Sequence, residues 1–259
     1  MIDIHSHILP GIDDGPGSFE ESVEMAAMYA KVGFQKVIAT PHWIAGTPWM
    51  PDKNDVSVKV ELLNDLLREK QVDITILAGM EIAMDGDILK FLDKNEILPL
   101  AGESYLMIEV PFQRLPVGWE NLLSNIISKG FRIILAHPER CYQIFSNPEF
   151  AGKIIDANVY VQVNYDSFLG YYGKHVEKTA CYLAEKGYIH CLATDSHDTI
   201  QRHPGNALMA CDKVRKLIGP ENERLLSVVN PERILSGLPL KTQASINTGN
   251  LLKKRWHWL

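Results

Sequence analysis

The sequence has few cysteines, no excess of basic residues and no long apolar run, and each deficit argues against a class of proteins. Its four cysteines form no C-x-x-C pair, which argues against zinc-ribbon and redox motifs; they are Cys141, Cys181, Cys191 and Cys211. A net charge of -6 over 259 residues argues against a general nucleic-acid binder, because such proteins need a basic face. The first residues lack the basic and apolar regions of a signal peptide, and no run is long enough for a membrane span. We therefore expect a cytoplasmic protein whose thiols stay reduced.

The sequence does contain enough apolar residues for a full core. Its hydrophobic fraction of 46% is ordinary for a globular protein, and the length suits one large α/β domain or two small ones. Because no linker precedes about residue 240, we predict a single domain over 1–240 and a basic, aromatic tail over 241–259. The tail ends LLKKRWHWL, a composition that fits contact with anionic lipid or, as we favour, a strap packed on the domain.

Short β-rich runs alternate with amphipathic segments along the chain. Strands are predicted at 2–5, 36–40, 74–82, 105–110, 132–137, 159–164 and 189–196. Helices are predicted at 18–32, 55–70, 117–129, 172–186 and 204–218. Ser18 and Glu21 form a capping-box pattern at the start of the first helix, and Gly33 marks its end. Strands separated by helices pair in parallel, so seven such units predict an α/β fold with a closed or nearly closed barrel.

The predicted strands end on side chains that bind metals. His5 and His7 are two residues apart on a strand, so their imidazoles point to the same face. In a β/α barrel the site lies where the carboxyl ends of the strands meet. Mixed imidazole and carboxylate ligands suit Mn, Fe or Zn better than Mg or Ca. The residues at these strand ends are His5, His7, His42, Glu81, Glu109, His137, Asn164, Asp195 and His197.

The same residues lie in motifs that resemble a known family. The stretches are DIHSHILPGIDDGP, ATPH, AGMEI, IEVPF, LAHPERC, ATDSHD and RHP, with VVNPERIL extending the match. Together they resemble the PHP (polymerase and histidinol phosphatase) superfamily. Within it they are most similar to the bacterial manganese-dependent protein-tyrosine phosphatases of capsular and exopolysaccharide loci. The resemblance implies a distorted seven-stranded (β/α)7 barrel with a metal site at the C-terminal ends of the strands.

The resemblance also implies three divalent metal ions, Mn²⁺ by preference, with Fe or Zn as alternatives. The first ion would be held by His5, His7, Glu81 and Asp195, the second by Glu81 as a bridge with Glu109 and His137, and the third by Asp14, His42 and His197. Asp13 is an alternative to Asp14, and spacing alone does not decide between them. Asp3 is a candidate for orienting a ligand histidine.

Two arginines match the phosphate-binding arginines of the family. They are Arg140 in HPER and Arg202 in DSHDTIQRHP, and the planar guanidinium suits this role because it pairs two phosphate oxygens at once. The expected reaction is attack on phosphorus by a metal-bound hydroxide. No protein thiol is expected to take part, because no cysteine begins a C-x5-R loop. Trp43 and Trp49 fit either an aromatic wall for a phosphotyrosyl ring or loop packing.

The substrate implied by the resemblance is a tyrosine-phosphorylated protein. It would be the tyrosine-rich tail of a bacterial tyrosine autokinase that controls polysaccharide chain length. An oligomer is compatible with the sequence. Three other functions compete with this interpretation: another PHP phosphoesterase acting on histidinol phosphate or a nucleotide, an amidohydrolase, and a non-catalytic metal-stabilised barrel that binds a partner.

Overall fold

The computed structural model describes residues 1–243, in which parallel strands are surrounded by helices. Residues 244–259, including the predicted LLKKRWHWL end of the tail, lie outside the described residues. The predicted domain boundary near residue 240 therefore stays a prediction. Among residues 1–243, no helix combines the length and apolar character needed to cross a bilayer.

All strand pairs in the described residues are parallel, which confirms the predicted α/β class. One sheet has the order β1-β2-β4 and the other the order β3-β5-β6-β7-β8-β9. A single seven-stranded barrel is not confirmed, because the described residues form nine strands in two sheets. The strands are β1 Ile2–Ser6, β2 Lys36–Ala39, β3 His42–Trp43, β4 Thr75–Ala78, β5 Glu81–Ala83, β6 Tyr105–Glu109, β7 Arg132–Ala136, β8 Tyr160–Asn164 and β9 Cys191–Ala193.

One predicted strand ends early and another is interrupted. The run over 36–40 ends at β2, and β3 follows after Pro41, whose nitrogen has no hydrogen to donate to a ladder. The run over 74–82 divides into β4 and β5 around Gly79. A Cβ at Gly79 would lie 2.9 Å from the Ile38 side chain and 3.0 Å from the Leu100 side chain, so both side chains pack directly against the backbone there. The interruption makes Glu81 the first residue of β5, with its N–H donating to the Pro41 carbonyl at 3.0 Å.

The ends of the first and last strands lie together. A single parallel bridge joins Ser6 to Ser196. The His7 N–H donates to the Ser196 carbonyl at 2.9 Å, and the Asp195 N–H donates to the His5 carbonyl at 2.9 Å. Candidate ligands from the two ends of the sequence therefore become neighbours.

The five predicted helices are all present, with small shifts at their ends, as α1, α2, α4, α8 and α9. The Ser18 hydroxyl accepts the Glu21 N–H at 3.3 Å, while the Glu21 carboxylate accepts the Gly17 N–H at 2.7 Å. The pattern did not predict the shorter helices, which carry little amphipathic signal. The helices are α1 Phe19–Lys31, α2 Lys53–Glu69, α3 Ile88–Asp93, α4 Trp119–Ser128, α5 Tyr142–Phe145, α6 Ala151–Asp156, α7 Tyr165–Phe168, α8 Lys174–Glu185, α9 Ala207–Ile218, α10 Pro220–Arg224 and α11 Asn230–Leu235.

A buried polar group beneath the strand ends joins β1, α1 and the chain after β9. One oxygen of the buried Asp3 carboxylate accepts the backbone N–H groups of His5 at 3.3 Å and Thr194 at 3.1 Å. The other oxygen accepts the Tyr29 hydroxyl at 2.7 Å and the Thr194 hydroxyl. Asp3 thus fixes the backbone of His5 rather than its imidazole.

We expect Tyr29→Phe to lower the free energy of unfolding by about 1–3 kcal/mol, because it removes a donor from the buried Asp3 carboxylate. Chemical denaturation measures this loss. Tyr171→Phe, which removes the hydroxyl of an exposed tyrosine, is the matched control and should change stability little. Equal stability of the two variants would contradict the role given to Tyr29.

Candidate metal centre

The carboxylate of Glu81 lies at the centre of the predicted ligand set. It is buried at the start of β5 and faces imidazoles from three other parts of the chain: the end of β1, β3 and the end of β7. His42 Nδ1 lies 2.9 Å from it, His137 Nε2 3.0 Å, His5 Nε2 3.2 Å and His7 Nε2 3.3 Å. The structure therefore brings four of the five predicted histidine ligands around one carboxylate.

The Nδ1 atoms of His5 and His7 each face a fixed acceptor. His5 Nδ1 lies 3.0 Å from Gln162 Oε1, and His7 Nδ1 lies 2.7 Å from Asp13 Oδ2. These acceptors favour the tautomer with the proton on Nδ1, which leaves the Nε2 lone pair free. The two Nε2 atoms face each other at 3.3 Å. Two lone pairs at this separation, surrounded by carboxylates, favour a positive charge between them, either a proton or a metal ion.

Asp13 and Asp14 have different surroundings. The Asp13 carboxylate is tied to His7 and also accepts the backbone N–H of His42 at 3.0 Å. Asp14 Oδ1 instead lies 3.2 Å from His197 Nε2 and 3.4 Å from His42 Nε2. The geometry therefore favours Asp14 as the ligand and gives Asp13 the task of orienting an imidazole.

Asp195 holds both candidate phosphate-binding arginines. Its Oδ2 atom accepts from Arg140 Nη1 at 2.9 Å, from Arg202 Nη2 at 3.0 Å and from Asn164 Nδ2 at 2.8 Å. Arg202 Nη1 also lies 3.8 Å from Asp14 Oδ2. The two guanidinium groups consequently converge at one edge of the cluster.

Two ligand positions have an unusual backbone. The φ angle is +32° at His137 and +53° at Asp195, in the left-handed region that residues other than glycine rarely adopt. His137 directly follows β7, and Asp195 lies two residues beyond β9. Such strained conformations persist where the surroundings fix them, and they are frequent at functional sites.

The residues of the cluster fit divalent metal ions. Four of its buried polar atoms are not aligned for a hydrogen bond with any of residues 1–243, even where another cluster atom is as near as the 2.9 Å between His42 Nδ1 and Glu81: His42 Nδ1, Glu81 Oε2, His137 Nδ1 and His197 Nε2. Buried polar atoms are normally satisfied, and cations satisfy imidazole nitrogens and carboxylate oxygens. Four overlapping groups have ligand atoms within 4.8 Å of one another: His7, Asp14, His42 and His197; His5, His7 and Glu81; His5, His137 and Asp195; and His42, Glu81 and Glu109.

The pKa shifts in the cluster follow from burial and charge. Burial together with the charge of Glu81 raises the pKa of Glu109 to about 7. Burial lowers the pKa of His137 to about 4, which leaves a neutral imidazole with a free lone pair. Burial also disfavours a charged His7, but the charge of Asp13 and hydrogen bonds to carboxylates outweigh it and raise the His7 pKa well above its usual range. The cluster thus attracts positive charge, as protons or as metal.

The two tryptophans after β2 have different environments. Trp43 is buried and packs edge-on against Phe91 with ring centroids 4.9 Å apart, so it belongs to the core. Trp49 is partly exposed, and its ring stacks on His42 at 5.1 Å and 13°. The aromatic-wall interpretation is therefore wrong for Trp43, while Trp49 borders the cluster.

Two residues that contact the site, Gln162 and Phe112, are not predicted from the sequence. Gln162 is the partner of His5; a polar residue inside the apolar run VYVQVN, on the same face as Asn164, is the signal that could have identified it. Phe112 stacks beside His137 at 6.1 Å and 16°, and no chemical signal distinguishes it from other loop aromatics. The Arg140 guanidinium lies over the rings of both Phe112 and Tyr172, at 4.8 and 4.4 Å from their centroids.

Three further histidines lie outside the cluster. His190 Nδ1 accepts the Val161 N–H, and His203 Nδ1 accepts the Gly205 N–H. His175 stacks near Phe145, and His257 lies outside the described residues. The four cysteines are buried, and none forms a disulfide.

Comparison with known proteins identifies relatives over most of the chain. The family model described as "Capsular polysaccharide synthesis, CpsB/CapC" matches residues 1–236. The tyrosine-protein phosphatase YwqE of Bacillus subtilis is 34% identical over 82% of this chain and 84% of its own length. The tyrosine-protein phosphatase CpsB of Streptococcus pneumoniae is 31% identical over 91% of this chain and 98% of its own length.

One solved structure superposes with a TM-score of 0.89 and 32% identity, over 94% of this chain and 97% of its own. It comes from crystal structures of YwqE from Bacillus subtilis and CpsB from Streptococcus pneumoniae, described as unique metal-dependent tyrosine phosphatases.

We expect Gly15→Ala to weaken divalent-metal binding by about tenfold or more, the cost of displacing a residue that orients a ligand. A Cβ at Gly15 would overlap the His7 carbonyl oxygen, so the loop that carries Asp13 and Asp14 would have to move. Calorimetric titration with Mn²⁺ measures the affinity. Gly17→Ala is the matched control, because its Cβ would make only an ordinary contact, at 3.5 Å from Glu21. Equal affinity of the two variants would contradict the prediction.

Proposed function

The chain belongs to the capsular polysaccharide synthesis family CpsB/CapC, and from this premise we propose that it is a metal-dependent protein-tyrosine phosphatase. One observation carries the proposal. A buried cluster of histidines and carboxylates, fit for divalent metals, adjoins two arginines that converge on Asp195. A phosphate group needs both features, since metals and guanidinium groups neutralise its oxygens together.

The predicted ligands would hold up to three divalent ions, with Mn²⁺ preferred and Fe or Zn as alternatives. When bound, such ions act as Lewis acids and make hydroxide available near neutral pH by lowering the pKa of water. Asp14, His42 and His197, the predicted third set, lie together with His7 in one group. Glu109 groups with Glu81 and His42, and its contact with His137 is 4.0 Å, so the assignment of ligands to individual ions stays a proposal. Hydrogen bonds that the imidazoles of His5 and His7 donate to Gln162 Oε1 and the Asp13 carboxylate keep these ligands oriented.

Arg140 and Arg202 would bind and orient the phosphate. Each uses one nitrogen to bind Asp195, which leaves further N–H groups for phosphate oxygens. Their positive charges face the oxygens on which negative charge gathers during hydrolysis. Phenolate is a tolerable leaving group, so the chain needs no strong general acid, and its four buried cysteines need supply no nucleophile.

For the fold, we propose a distorted seven-stranded barrel of PHP type. Two residues separate β2 from β3 and two separate β4 from β5, so each of these pairs can count as one interrupted barrel strand, which reduces nine strands to seven. The bridge between Ser6 and Ser196 supports neighbouring positions for the first and last barrel strands. The metal ligands would then lie at the carboxyl ends of the strands, where β/α barrels place their sites.

The phosphorylated protein follows from the resemblance alone. We propose the tyrosine-rich tail of a bacterial tyrosine autokinase as substrate, in the cytoplasm, for the control of capsular or exopolysaccharide synthesis. The test is a panel of phosphotyrosyl peptides, phosphoseryl peptides and histidinol phosphate, assayed with added Mn²⁺. Preferential hydrolysis of the phosphotyrosyl peptides supports the proposal, whereas preference for histidinol phosphate favours another PHP phosphoesterase.

We expect removal of metal by a chelator to reduce phosphotyrosyl hydrolysis to background, and added Mn²⁺ to restore it. The reason is that the cluster leaves buried imidazole and carboxylate atoms unsatisfied without a cation. Elemental analysis of the same preparations should give up to three ions per chain. Full activity in a preparation without metal would overturn the prediction.

We expect Arg140→Ala to reduce kcat for a phosphotyrosyl peptide about a hundredfold or more, the typical effect of removing one donor to a developing oxyanion. Metal content should be retained. Arg140→Lys should restore activity only in part, because an ammonium cannot form the paired contact. Arg68→Ala, on the exposed face of α2, is the control. Near-normal kcat/KM with full metal content in Arg140→Ala would make Arg140 a structural residue only.

A further inference from the structure

Two adjoining cavities lead away from the arginines along the loop before α4. The first, of about 410 Å³, includes Arg140 and Phe112 in its lining. The second, of about 730 Å³, extends to Val117 and Trp119. Gln113 and Tyr142 line both, so the two form one groove that begins at the phosphate-binding arginine and runs to the surface.

The groove presents apolar side chains to solvent. Phe112 is 49% exposed, Tyr142 is 57% exposed and Val117 is fully exposed. Exposed apolar groups that adjoin one another, at the edge of an active site, mark a surface for binding another molecule. Because Arg140 belongs to both the groove and the phosphate site, a molecule in the groove would be continuous with the phosphorylated group.

Hydrogen bonds join the two segments that line the groove, 112–115 and 142–143, and fix their positions relative to each other. The Tyr142 N–H donates to the Phe112 carbonyl at 2.7 Å, and the Gln143 N–H donates to the Gln113 carbonyl at 3.1 Å. The Leu115 N–H donates to the Gln143 side-chain oxygen at 3.0 Å. A preformed groove loses little conformational freedom when it binds an extended segment.

We propose that this groove, from Arg140 to Val117, binds the residues next to the phosphotyrosine in the phosphoprotein and selects an apolar or aromatic side chain there. The proposal rests on the proposed function and adds the substrate class to it. The polypeptide must continue beyond its phosphorylated ring, and the groove offers it apolar contacts in direct continuity with the arginines. A small aryl phosphate would not reach Val117.

The test compares peptides with p-nitrophenyl phosphate, using the metal-loaded full-length enzyme. One phosphotyrosyl peptide has alanine at the flanking positions, and the others carry one leucine at successive positions before or after the phosphotyrosine. Val117→Asp places a charge in the groove, while Val58→Asp makes the same change on α2, where Val58 is 52% exposed. The measured quantity is kcat/KM for each peptide divided by that for p-nitrophenyl phosphate.

We expect a leucine at one or more flanking positions to raise this ratio in the wild-type enzyme. Val117→Asp should lower the raised ratio about tenfold, close to the effect of losing the burial of one aliphatic side chain. Val58→Asp should leave it near the wild-type value.

Two results would contradict peptide binding in the groove without affecting the proposed phosphatase function. One is a wild-type enzyme that hydrolyses all the peptides equally well. The other is an unchanged ratio of peptide to p-nitrophenyl phosphate kcat/KM in Val117→Asp. A dimer that Val117→Asp dissociates without a change in the ratio would assign the groove to a second copy of the chain and likewise overturn the proposal. Failure of the wild-type enzyme to hydrolyse any phosphotyrosyl peptide would overturn the proposed function and the groove together.

Discussion

The buried carboxylate of Glu81 is the group on which the rest of the structure depends. A charge removed from water must be paired, and the partners of Glu81 are four imidazoles from distant parts of the chain. His5 and His7 lie at the end of the first strand, His42 in β3 and His137 after β7. These side chains meet only if the carboxyl ends of β1 and β7 converge with the starts of β3 and β5. The break between β4 and β5 contributes directly, because it turns Glu81 into the first residue of a new strand, bonded to Pro41. The fold and the pairing of this charge therefore require each other.

A chain of side-chain amides extends this constraint through the site. His5 donates from Nδ1 to Gln162 Oε1, the Gln162 amide donates to Asn164 Oδ1 at 2.7 Å, and the Asn164 amide donates to Asp195 Oδ2 at 2.8 Å. Each hydrogen bond fixes the orientation of the next amide, so the direction of the whole chain follows from the charge of Asp195. The outcome is a defined tautomer at His5. The Asp13 carboxylate likewise fixes the tautomer of His7 by accepting from its Nδ1. The Nε2 lone pairs of both histidines are therefore oriented toward the cluster before a metal binds.

The sequence was sufficient to predict which strands end together and which residue types they bring, because strand periodicity and ligand chemistry are both local signals. His5, His7, His42, Glu81, Glu109, His137, Asp195 and His197 all lie in one cluster for that reason. The sequence was not sufficient to predict features that depend on packing between distant segments. The interruption at Gly79 follows from the close approach of Ile38 and Leu100, and the choice between Asp13 and Asp14 follows from which one reaches His7. Phe112 belongs to the same class, since only the fold brings it beside Arg140.

Asp195 joins the metal cluster to the arginines because its two oxygens have different partners. Oδ1 lies 3.5 Å from the Nε2 atoms of both His5 and His7, and it can share a cation with them. Oδ2 accepts from both arginines. Burial alone would raise the pKa of this carboxyl, but the charges of His5 and Arg202 hold it well below its usual range, so it stays anionic. A single rigid carboxylate thereby sets the distance between the cations that would activate water and the guanidinium groups that would hold phosphate. Both guanidinium side chains stay partly exposed, Arg140 at 16% and Arg202 at 30%, so N–H groups of this pair remain accessible to an incoming oxygen.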